Sequence, residues 1–468
     1  MVYPPLGLFW LIAVLKKQGQ NVTFIDMSET ITDHGGGVTI KYENPPLDFD
    51  IYLIGGTSPQ AQEIIRVAKF LKDNGKFVIG GGPHITNNAG RAVSEADLIS
   101  TVKLGAIKNR TQRLLLENFH ILVRHEGEVA IIEALDRIDE GIRTMMDFGR
   151  GIVIEKELLT ESQLGEIPLP DREYAGLYKA FLEDDSGNKY LTTTVYSSRG
   201  CPKRCAFCDS PALWGARVRR TPIERVKEEL NDIYTRGFRG VYFYDEILFI
   251  DRKRAVELSN ELRRLGMVFR GNVRTDIICH RNYGYEFLKL MRDNGLVDIF
   301  VGVESGSNQM KDNIHKGTTI EQDSQVLKWC KELGIKFKAS VIIGLPGETR
   351  ETMEATRRWV IEHRPHKVNV CLYIPFPGTP IVKQFDRRRG LAINEDHFSD
   401  VYGREVSDDN YDISWDIMPE ELERMFFAGS REPGKIRAMV STSHLTKEEM
   451  QDFYDKFIEE LNTLGIPY

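Results

Sequence analysis

Short apolar runs of strand-like composition alternate with amphipathic runs of helical period through residues 1–141. The strand-like runs are 21–26, 50–56, 76–82 and 120–127, and helical runs lie at 7–17, 60–72 and 128–138. Apolar strands joined by helices predict a parallel, doubly wound sheet of the Rossmann or flavodoxin type, because such strands are buried on both faces. Three of these strands end in glycine, at the sheet edge where ligands bind in such folds.

A second alternation of strands and helices covers residues 191–376. Its strand-like segments are 191–198, 240–249, 269–276, 298–305, 336–344 and 367–376. Four of the intervening helices are followed by a glycine that can close a helix in the left-handed conformation: Gly237, Gly266, Gly295 and Gly334. Six consecutive strands joined by helices predict a six-stranded (β/α)6 partial barrel, with its chemistry on the loops that follow the strands.

The two alternations divide the chain into four segments. We predict an N-terminal α/β domain at 1–141, a linker at 142–190, the partial barrel at 191–385 and a helical C-terminal region at 386–468. The linker contains a stretch with two prolines and no periodicity, which is typical of a connection between domains. Residues 444–461 have the spacing of an amphipathic helix, which we expect to pack against the open side of the barrel.

Composition narrows the class of protein. The 468 residues are 41% hydrophobic and 28% charged, with a net charge of −7, and this balance does not favour a nucleic-acid partner. The apolar run 6–15 is shorter than a bilayer span and predicts a buried helix. Six cysteines, three of them clustered, do not form a secreted disulfide framework, so we expect a cytoplasmic protein.

The clustered cysteines are Cys201, Cys205 and Cys208, directly after the first barrel strand. Thiolates are soft ligands that suit zinc, copper(I) or iron–sulfur clusters. A structural zinc site needs a fourth ligand and usually a second Cys-x-x-Cys pair, which the sequence lacks. Three thiolates on one loop suit a cubane cluster that leaves one iron open for a ligand.

The loop RGCPKRCAFC resembles the cysteine loop of the radical S-adenosylmethionine (SAM) superfamily, with the aromatic Phe207 before the third cysteine. The resemblance implies a 4Fe–4S cluster on the three cysteines, with SAM bound at the open iron. One electron from the cluster then cleaves SAM to methionine and a 5′-deoxyadenosyl radical, which the protein positions and shields. It also implies a small-molecule substrate and an electron donor such as flavodoxin or ferredoxin.

Further parts of this resemblance lie at the ends of the next strands. In YFYDE, Asp245 and Glu246 correspond to residues that meet the SAM amino group, and Arg274 corresponds to one that reaches its carboxylate. VGVESG places Glu304 and Ser305 where the family contacts the SAM ribose or carboxylate. The turn IGLPGET resembles the loop beside the adenine, with Gly344, Pro346 and Gly347. Any one match also fits a turn, a cap or an ion pair, but the ordered series favours SAM binding.

The N-terminal half resembles the cobalamin-binding domain that is fused to many radical SAM enzymes. The resemblance is carried by the residues after Pro4, by GGGPH at 80–84 and by RHEGE at 124–128. It implies a cobalamin site at strand ends: Gly55, Gly56, Gly81, Gly82, His84, Glu126 and Gly127. The sequence departs from the family in having no hydrophobic strand before Pro4, so we expect a sheet that lacks its first strand. The sequence has no Asp-x-His-x-x-Gly motif, so we expect His84 to be a pocket residue and leave cobalamin binding open.

The leading hypothesis for the reaction is cobalamin-dependent methylation of an unactivated carbon, because most relatives with this pair of domains are methyltransferases. An alternative is a radical SAM oxidoreductase or cyclase whose N-terminal domain is a scaffold without cobalamin. A non-catalytic zinc or iron–sulfur module would explain the cysteines but not the strand-end matches. A tRNA-modifying role usually brings a second cysteine cluster or a basic appendage, and the sequence has neither.

Overall fold

The N-terminal part of the protein contains a four-stranded parallel sheet. The structure is a computed structural model that describes residues 4–27, 44–57, 60–89, 110–139, 152–376, 378–388, 412 and 438–468. The strands pair in chain order: β1 (Ile51–Gly55), β2 (Phe77–Gly81), β3 (Ile121–Arg124) and β4 (Ile152–Glu155). Strand β4 lies within the segment predicted as a linker, so the sheet extends beyond residue 141.

Helices cover both faces of this sheet, which confirms the doubly wound fold. Helices α1 (Leu6–Lys17) and α5 (Gly127–Asp139) pack on one face. The other face carries α2 (Ala61–Asp73), α3 (Pro83–Asn88) and α4 (Arg110–Asn118). Successive side chains of β2 point to opposite faces, so Phe77 joins the first core and Val78 the second.

The prediction of a strand at 21–26 is wrong. These residues are described but form no strand, and the described sheet has four strands without them. The apolar side chain of Phe24 instead packs against other rings, with its ring centre 5.8 Å from that of Phe9 and 5.4 Å from that of Tyr174. The segment thus joins α1 to the connection between the domains.

A second sheet forms the predicted partial barrel. Its six parallel strands are β6 (Lys189–Val195), β9 (Gly240–Phe243), β10 (Val268–Val273), β11 (Leu296–Glu304), β12 (Lys336–Ile343) and β13 (Lys367–Leu372). A short strand that the sequence did not predict, β5 (Phe181–Glu183), adds antiparallel to β6 at the edge. A two-stranded hairpin of β7 (Ser198–Arg199) and β8 (Arg219–Arg220) follows β6. The six predicted barrel strands are therefore confirmed.

Helix α6 (Glu161–Glu166) precedes the barrel, and α7 (Ser210–Trp214) lies between β7 and β8. The helices between the later barrel strands are α8 (Ile223–Thr235), α9 (Arg252–Leu265), α10 (Thr275–Ile278), α11 (Gly284–Asp293), α12 (Asn308–Asn313), α13 (Ile320–Leu333) and α14 (Arg350–His363), and α15 (Pro380–Arg388) follows the last strand. Apolar positions of the strands, such as Ile299 and Val341, join these helices in one core. The alternate positions are polar and point into the barrel, where Arg270 and Lys338 both contact Asp298.

The C-terminal helix α16 (Lys447–Thr463) packs on the barrel as the sequence predicts. Its buried face, Met450, Phe453, Tyr454, Phe457 and Leu461, belongs to the barrel core. The helices predicted for 386–468 lie largely outside the described residues, since 389–411 and 413–437 are not described. Among the helices of the described segments, none has the length and apolar character required to cross a bilayer.

Candidate active site

The cysteine loop is closed at its base by the β7–β8 hairpin. Arg199 pairs with Arg219 across this hairpin, and residues 200–218 form the loop between them. Within the loop, the Cys201 amide donates to the Gly215 carbonyl at 3.2 Å, and the Cys208 amide donates to the Cys205 carbonyl at 3.1 Å. The loop therefore begins and ends at fixed points beside the end of β6.

Gly200 is required by the close approach of the two sides of this loop. Its φ of +97° lies in the region that favours glycine, and an added Cβ would lie 2.1 Å from the Arg217 carbonyl oxygen. We expect Gly200→Ala to destabilise the loop by more than about 2 kcal/mol and to lower the iron retained after reconstitution. Gly237→Ala is the control, because its φ of +90° imposes the same strain but no atom lies within 4 Å. Equal iron content in the two variants would contradict this account.

The three cysteine thiols are free; Cys205 is buried, and Cys201 and Cys208 are half-buried. Burial raises the pKa of Cys201 to about 11 and that of Cys208 to about 12, while the Arg274 guanidinium approaches the Cys205 sulfur at 3.8 Å. Within the described ranges, no three Cys, His, Asp or Glu side chains are grouped to hold a single metal ion. The thiolates of a 4Fe–4S cluster each bind a different iron, so they need not converge on one point. A 4Fe–4S cluster on these three cysteines stays a prediction.

Asp245 and Glu246 both contact the start of the cysteine loop. The Asp245 carboxylate accepts hydrogen bonds from the Ser197 amide at 2.7 Å and from the hydroxyls of Ser197 and Ser198. Glu246 accepts from the Gly200 amide at 3.1 Å, and burial raises the pKa of its carboxyl to about 7. Asp245 thus anchors the loop through protein contacts, whereas the contact of either carboxylate with SAM stays a prediction.

Glu304 forms an ion pair with a lysine that the sequence reasoning did not single out. The Lys316 ammonium lies 2.6 Å from the Glu304 carboxylate and 5.9 Å from the centre of the Phe207 ring, and the Arg274 guanidinium donates to the Lys316 carbonyl. Glu304 has a φ of +62°, an uncommon conformation for a residue other than glycine. Arg274 is also paired with Asp276 at 3.0 Å. These contacts bring three predicted SAM residues, Phe207, Arg274 and Glu304, to one end of the barrel.

Ser305 and the predicted adenine loop serve the fold through contacts with neighbouring segments. The Ser305 side chain is fully buried, with its hydroxyl 3.2 Å from the Thr356 hydroxyl on α14. Gly344 and Gly347 have φ values of +93° and +79°, and the Gly344 amide donates to the Glu348 carboxyl at 3.2 Å. Burial raises the pKa of that carboxyl to about 7. Pro346 between the two glycines is buried. A role of these residues toward SAM stays a prediction.

The glycines at the ends of β1 and β2 lie against one another. An added Cβ at Gly82 would lie 3.2 Å from the Gly56 nitrogen and oxygen, and one at Gly56 would lie 2.7 Å from the Ile64 side chain. At Gly55 and Gly81 the nearest atoms are at 3.5 Å and 3.8 Å, so these two positions have more space. Close packing therefore explains Gly56 and Gly82 without a ligand, while a Cβ at Gly55 or Gly81 would make only ordinary van der Waals contacts.

His84 and Gly127 lie in packed surroundings. His84 is buried in α3, where burial lowers the pKa of its imidazole to about 4 and Asn88 contacts its ring nitrogen at 3.3 Å. An added Cβ at Gly127 would lie 3.0 Å from Leu11 of α1. The imidazole is therefore neutral at physiological pH, and Gly127 allows α1 to approach α5.

Glu126 connects the two halves of the chain. One oxygen of its carboxylate accepts from Arg199 at 2.7 Å, and the other accepts from Arg219 at 2.7 Å and from the Leu159 amide at 2.6 Å. Both arginines belong to the hairpin that closes the cysteine loop. The sequence suggested Glu126 as a cobalamin residue, but it gave no signal for these long-range partners.

The strand ends of the N-terminal sheet lie next to the cysteine loop. Asn87 of α3 donates to the Asp209 carboxylate at 3.2 Å, one residue after Cys208. The His125 ring, at the end of β3, lies 3.3 Å from the Leu213 carbonyl of α7. The two regions that the sequence predicts as cofactor sites are therefore adjacent in the folded chain.

Comparison with known proteins identifies the class of enzyme. Residues 195–360 match the radical SAM superfamily, and this range contains the cysteine loop and the barrel strands β9 to β12. The radical SAM methyltransferase TsrM of Kitasatospora setae, whose structure contains cobalamin and a 4Fe–4S cluster, has a similar fold, with a TM-score of 0.63 and 15% identity over 99% of this chain and 86% of that chain. Residues 195–360 are thus similar to a radical SAM domain, and the chain has a fold similar to that of TsrM over nearly its whole length.

Two curated relatives cover most of the chain. An uncharacterized methyltransferase of Pyrococcus horikoshii is 28% identical over 388 residues, which is 80% of this chain and 77% of the relative. The anaerobic magnesium-protoporphyrin IX monomethyl ester cyclase of Cereibacter sphaeroides is 25% identical over 400 residues, 82% of this chain and 60% of that protein. A radical SAM domain implies a 4Fe–4S cluster and SAM, whereas the reaction differs between these relatives.

Proposed function

We propose that this enzyme uses a 4Fe–4S cluster on Cys201, Cys205 and Cys208 to cleave SAM reductively, and that it methylates an unactivated carbon of a small molecule with cobalamin in its N-terminal domain. The observation that carries the proposal is the contact of the N-terminal strand ends with the cysteine loop, through Asn87 with Asp209 and His125 with Leu213. Two cofactors at these sites would face each other across a short distance, as a reaction that uses both requires.

The residues of the barrel rim would perform distinct tasks in this reaction. Glu246 and Arg274 offer a carboxyl and a guanidinium beside the cysteine loop, which match the amino and carboxylate groups of SAM. The Arg274 guanidinium opposes the burial that raises the pKa of the Cys201 thiol, and it would stabilise the thiolate that a cluster ligand requires. A low-potential donor such as flavodoxin or ferredoxin would supply the electron, in the cytoplasm, where thiols stay reduced.

The N-terminal site would hold cobalamin at the strand ends, at Gly55, which is exposed, and at Gly81, which is half-buried. Bound cobalamin would supply the methyl group. The neutral, buried His84 has its ring engaged by Asn88, which supports its prediction as a pocket residue rather than a cobalt ligand. TsrM, which contains cobalamin, and the methyltransferase relative of P. horikoshii support this assignment by similarity.

A radical SAM cyclase or oxidoreductase that does not bind cobalamin is the second candidate. The similarity to the anaerobic cyclase of C. sphaeroides, which covers 82% of this chain, supports the cyclase reaction but does not bear on cobalamin binding. In this version the N-terminal domain would be a scaffold.

Anaerobic reconstitution with iron, sulfide and hydroxocobalamin separates the two candidates. The methyltransferase version predicts about one corrinoid per chain after desalting, together with SAM cleavage after reduction. Gly81→Leu should lower the corrinoid content and leave the iron content unchanged, whereas Gly7→Leu on the exposed side of α1 should leave both unchanged. A protein that cleaves SAM but retains no corrinoid would contradict the methyltransferase version and support the second candidate.

A further inference from the structure

Arg199, two residues before Cys201, lies in a buried site that the N-terminal half of the chain provides. Its side chain is 2% exposed. The guanidinium donates to Glu126 and to Glu128, each at 2.7 Å, and lies over the Trp10 ring at 4.5 Å and the Trp214 ring at 5.8 Å. Trp10, Glu126 and Glu128 belong to the N-terminal domain, so three of its four neighbours come from outside the barrel.

These contacts hold both strands of the hairpin that closes the cysteine loop. Arg199 and Arg219 are paired across β7 and β8, and both donate to Glu126. Glu128 is 6% exposed and opens the first turn of α5, so the helix fixes its position relative to Glu126. Removing one partner of a buried ion pair is strongly destabilising, because no water takes the place of the lost partner in the low-dielectric interior. The hairpin geometry therefore depends on two carboxylates of the other domain.

We propose that Glu126 and Glu128 hold the cysteine loop in its ligating geometry through Arg199, which makes Arg199 a positioning residue for the iron–sulfur cluster. The N-terminal domain then completes the cluster site whether or not it carries cobalamin. This inference goes beyond the proposed function, because it concerns the retention and geometry of the cluster and needs neither a corrinoid nor a substrate.

Iron release from the reconstituted, corrinoid-free full chain tests the proposal. Glu128→Gln keeps the shape of the side chain but removes the charge that pairs with Arg199. Loss of this charged hydrogen bond should raise the rate of iron release to a chelator about tenfold and change the electron paramagnetic resonance (EPR) spectrum of the reduced cluster. Arg199→Lys, which keeps the charge but cannot bridge two carboxylates, should have a similar effect. If Glu128→Gln does not fold, iron release from Arg199→Lys and its EPR spectrum test the proposal instead.

Glu229→Gln is the matched control, because Glu229 forms an equally buried pair with Arg172 away from the loop. The proposal predicts release at the wild-type rate and an unchanged EPR spectrum for this variant. Wild-type release from both Glu128→Gln and Arg199→Lys would overturn the proposal. Equally accelerated iron release from Glu229→Gln would also overturn the proposal, and so would loss of folding in both Glu128→Gln and Arg199→Lys. Either result would mean that the ion pairs of Arg199 contribute to the general stability of the protein. Corrinoid content plays no part in these outcomes, so failure of the methyltransferase proposal would be recognised separately.

Discussion

Replacement of any one of Cys201, Cys205 or Cys208 with alanine is expected to give a folded protein that retains little iron after anaerobic reconstitution and does not cleave SAM. Each thiolate would hold a separate iron, so the loss of one ligand opens the cluster to solvent and to chelation. The fold should survive, because the loop is also held by the hairpin and by the contacts of Asp245 with Ser197 and Ser198. Iron content, the brown chromophore and the far-ultraviolet circular dichroism spectrum measure these effects.

Cys371→Ala is the matched control for the cysteine substitutions. Cys371 is a free cysteine on β13, in the same barrel but on a different strand from the loop. The Cys371→Ala variant should therefore retain the wild-type amount of iron. Retention of the full cluster by two or more of the loop variants would mean that these cysteines are not its ligands.

Lys316→Met is expected to lower the free energy of unfolding by about 3–5 kcal/mol, because it leaves the buried Glu304 carboxylate without its lysine partner. Glu304 is 5% exposed and Lys316 is 7% exposed, so water does not replace the 2.6 Å interaction. The same substitution removes a cation from beside Phe207 and the cysteine loop, so SAM binding should weaken as well. Denaturant titration and equilibrium dialysis with SAM measure the two effects.

The control for this prediction is Lys338→Met in the same barrel. Asp298 keeps the Arg270 guanidinium at 2.9 Å when Lys338 is removed, so the expected loss is only about 1 kcal/mol. The double variant Lys316→Met with Glu304→Gln should recover part of the lost stability, because it removes the unpaired charge. Equal losses of unfolding free energy in Lys316→Met and Lys338→Met would contradict this prediction, because Lys316 would then stabilise the protein no more than Lys338 does.

The sequence predicted the elements whose evidence is local. The six barrel strands and the helix 444–461 have strong periodicity, and four glycines after helices have positive φ: Gly237, Gly266, Gly295 and Gly334. The segment 21–26 shows the limit of this evidence, because an apolar run around Phe24 can equally pack against rings on α1 and on the connection. The spacing of apolar residues indicates which side chains are buried, whereas the formation of a strand also requires a partner strand.

The contacts of the candidate site are long-range and were accordingly not predictable. Arg199 and Glu126 are separated by 73 positions, and no local pattern indicates that they meet. Lys316 follows Glu304 by 12 positions within one motif, but a lysine in a loop predicts solvent exposure rather than a buried pair. The resemblance of YFYDE to the radical SAM family assigned Asp245 to SAM, and only the folded chain brings Ser197 and Ser198 to its carboxylate.

Cleavage of SAM by the reduced, anaerobically reconstituted protein tests the central claim most directly. The measurement is the amount of 5′-deoxyadenosine and methionine formed from SAM after addition of dithionite, with Cys205→Ala as the control. We predict that the wild-type protein forms both products and that Cys205→Ala forms neither. A colourless, zinc-containing protein, or a brown protein that leaves SAM intact after reduction, would contradict the account.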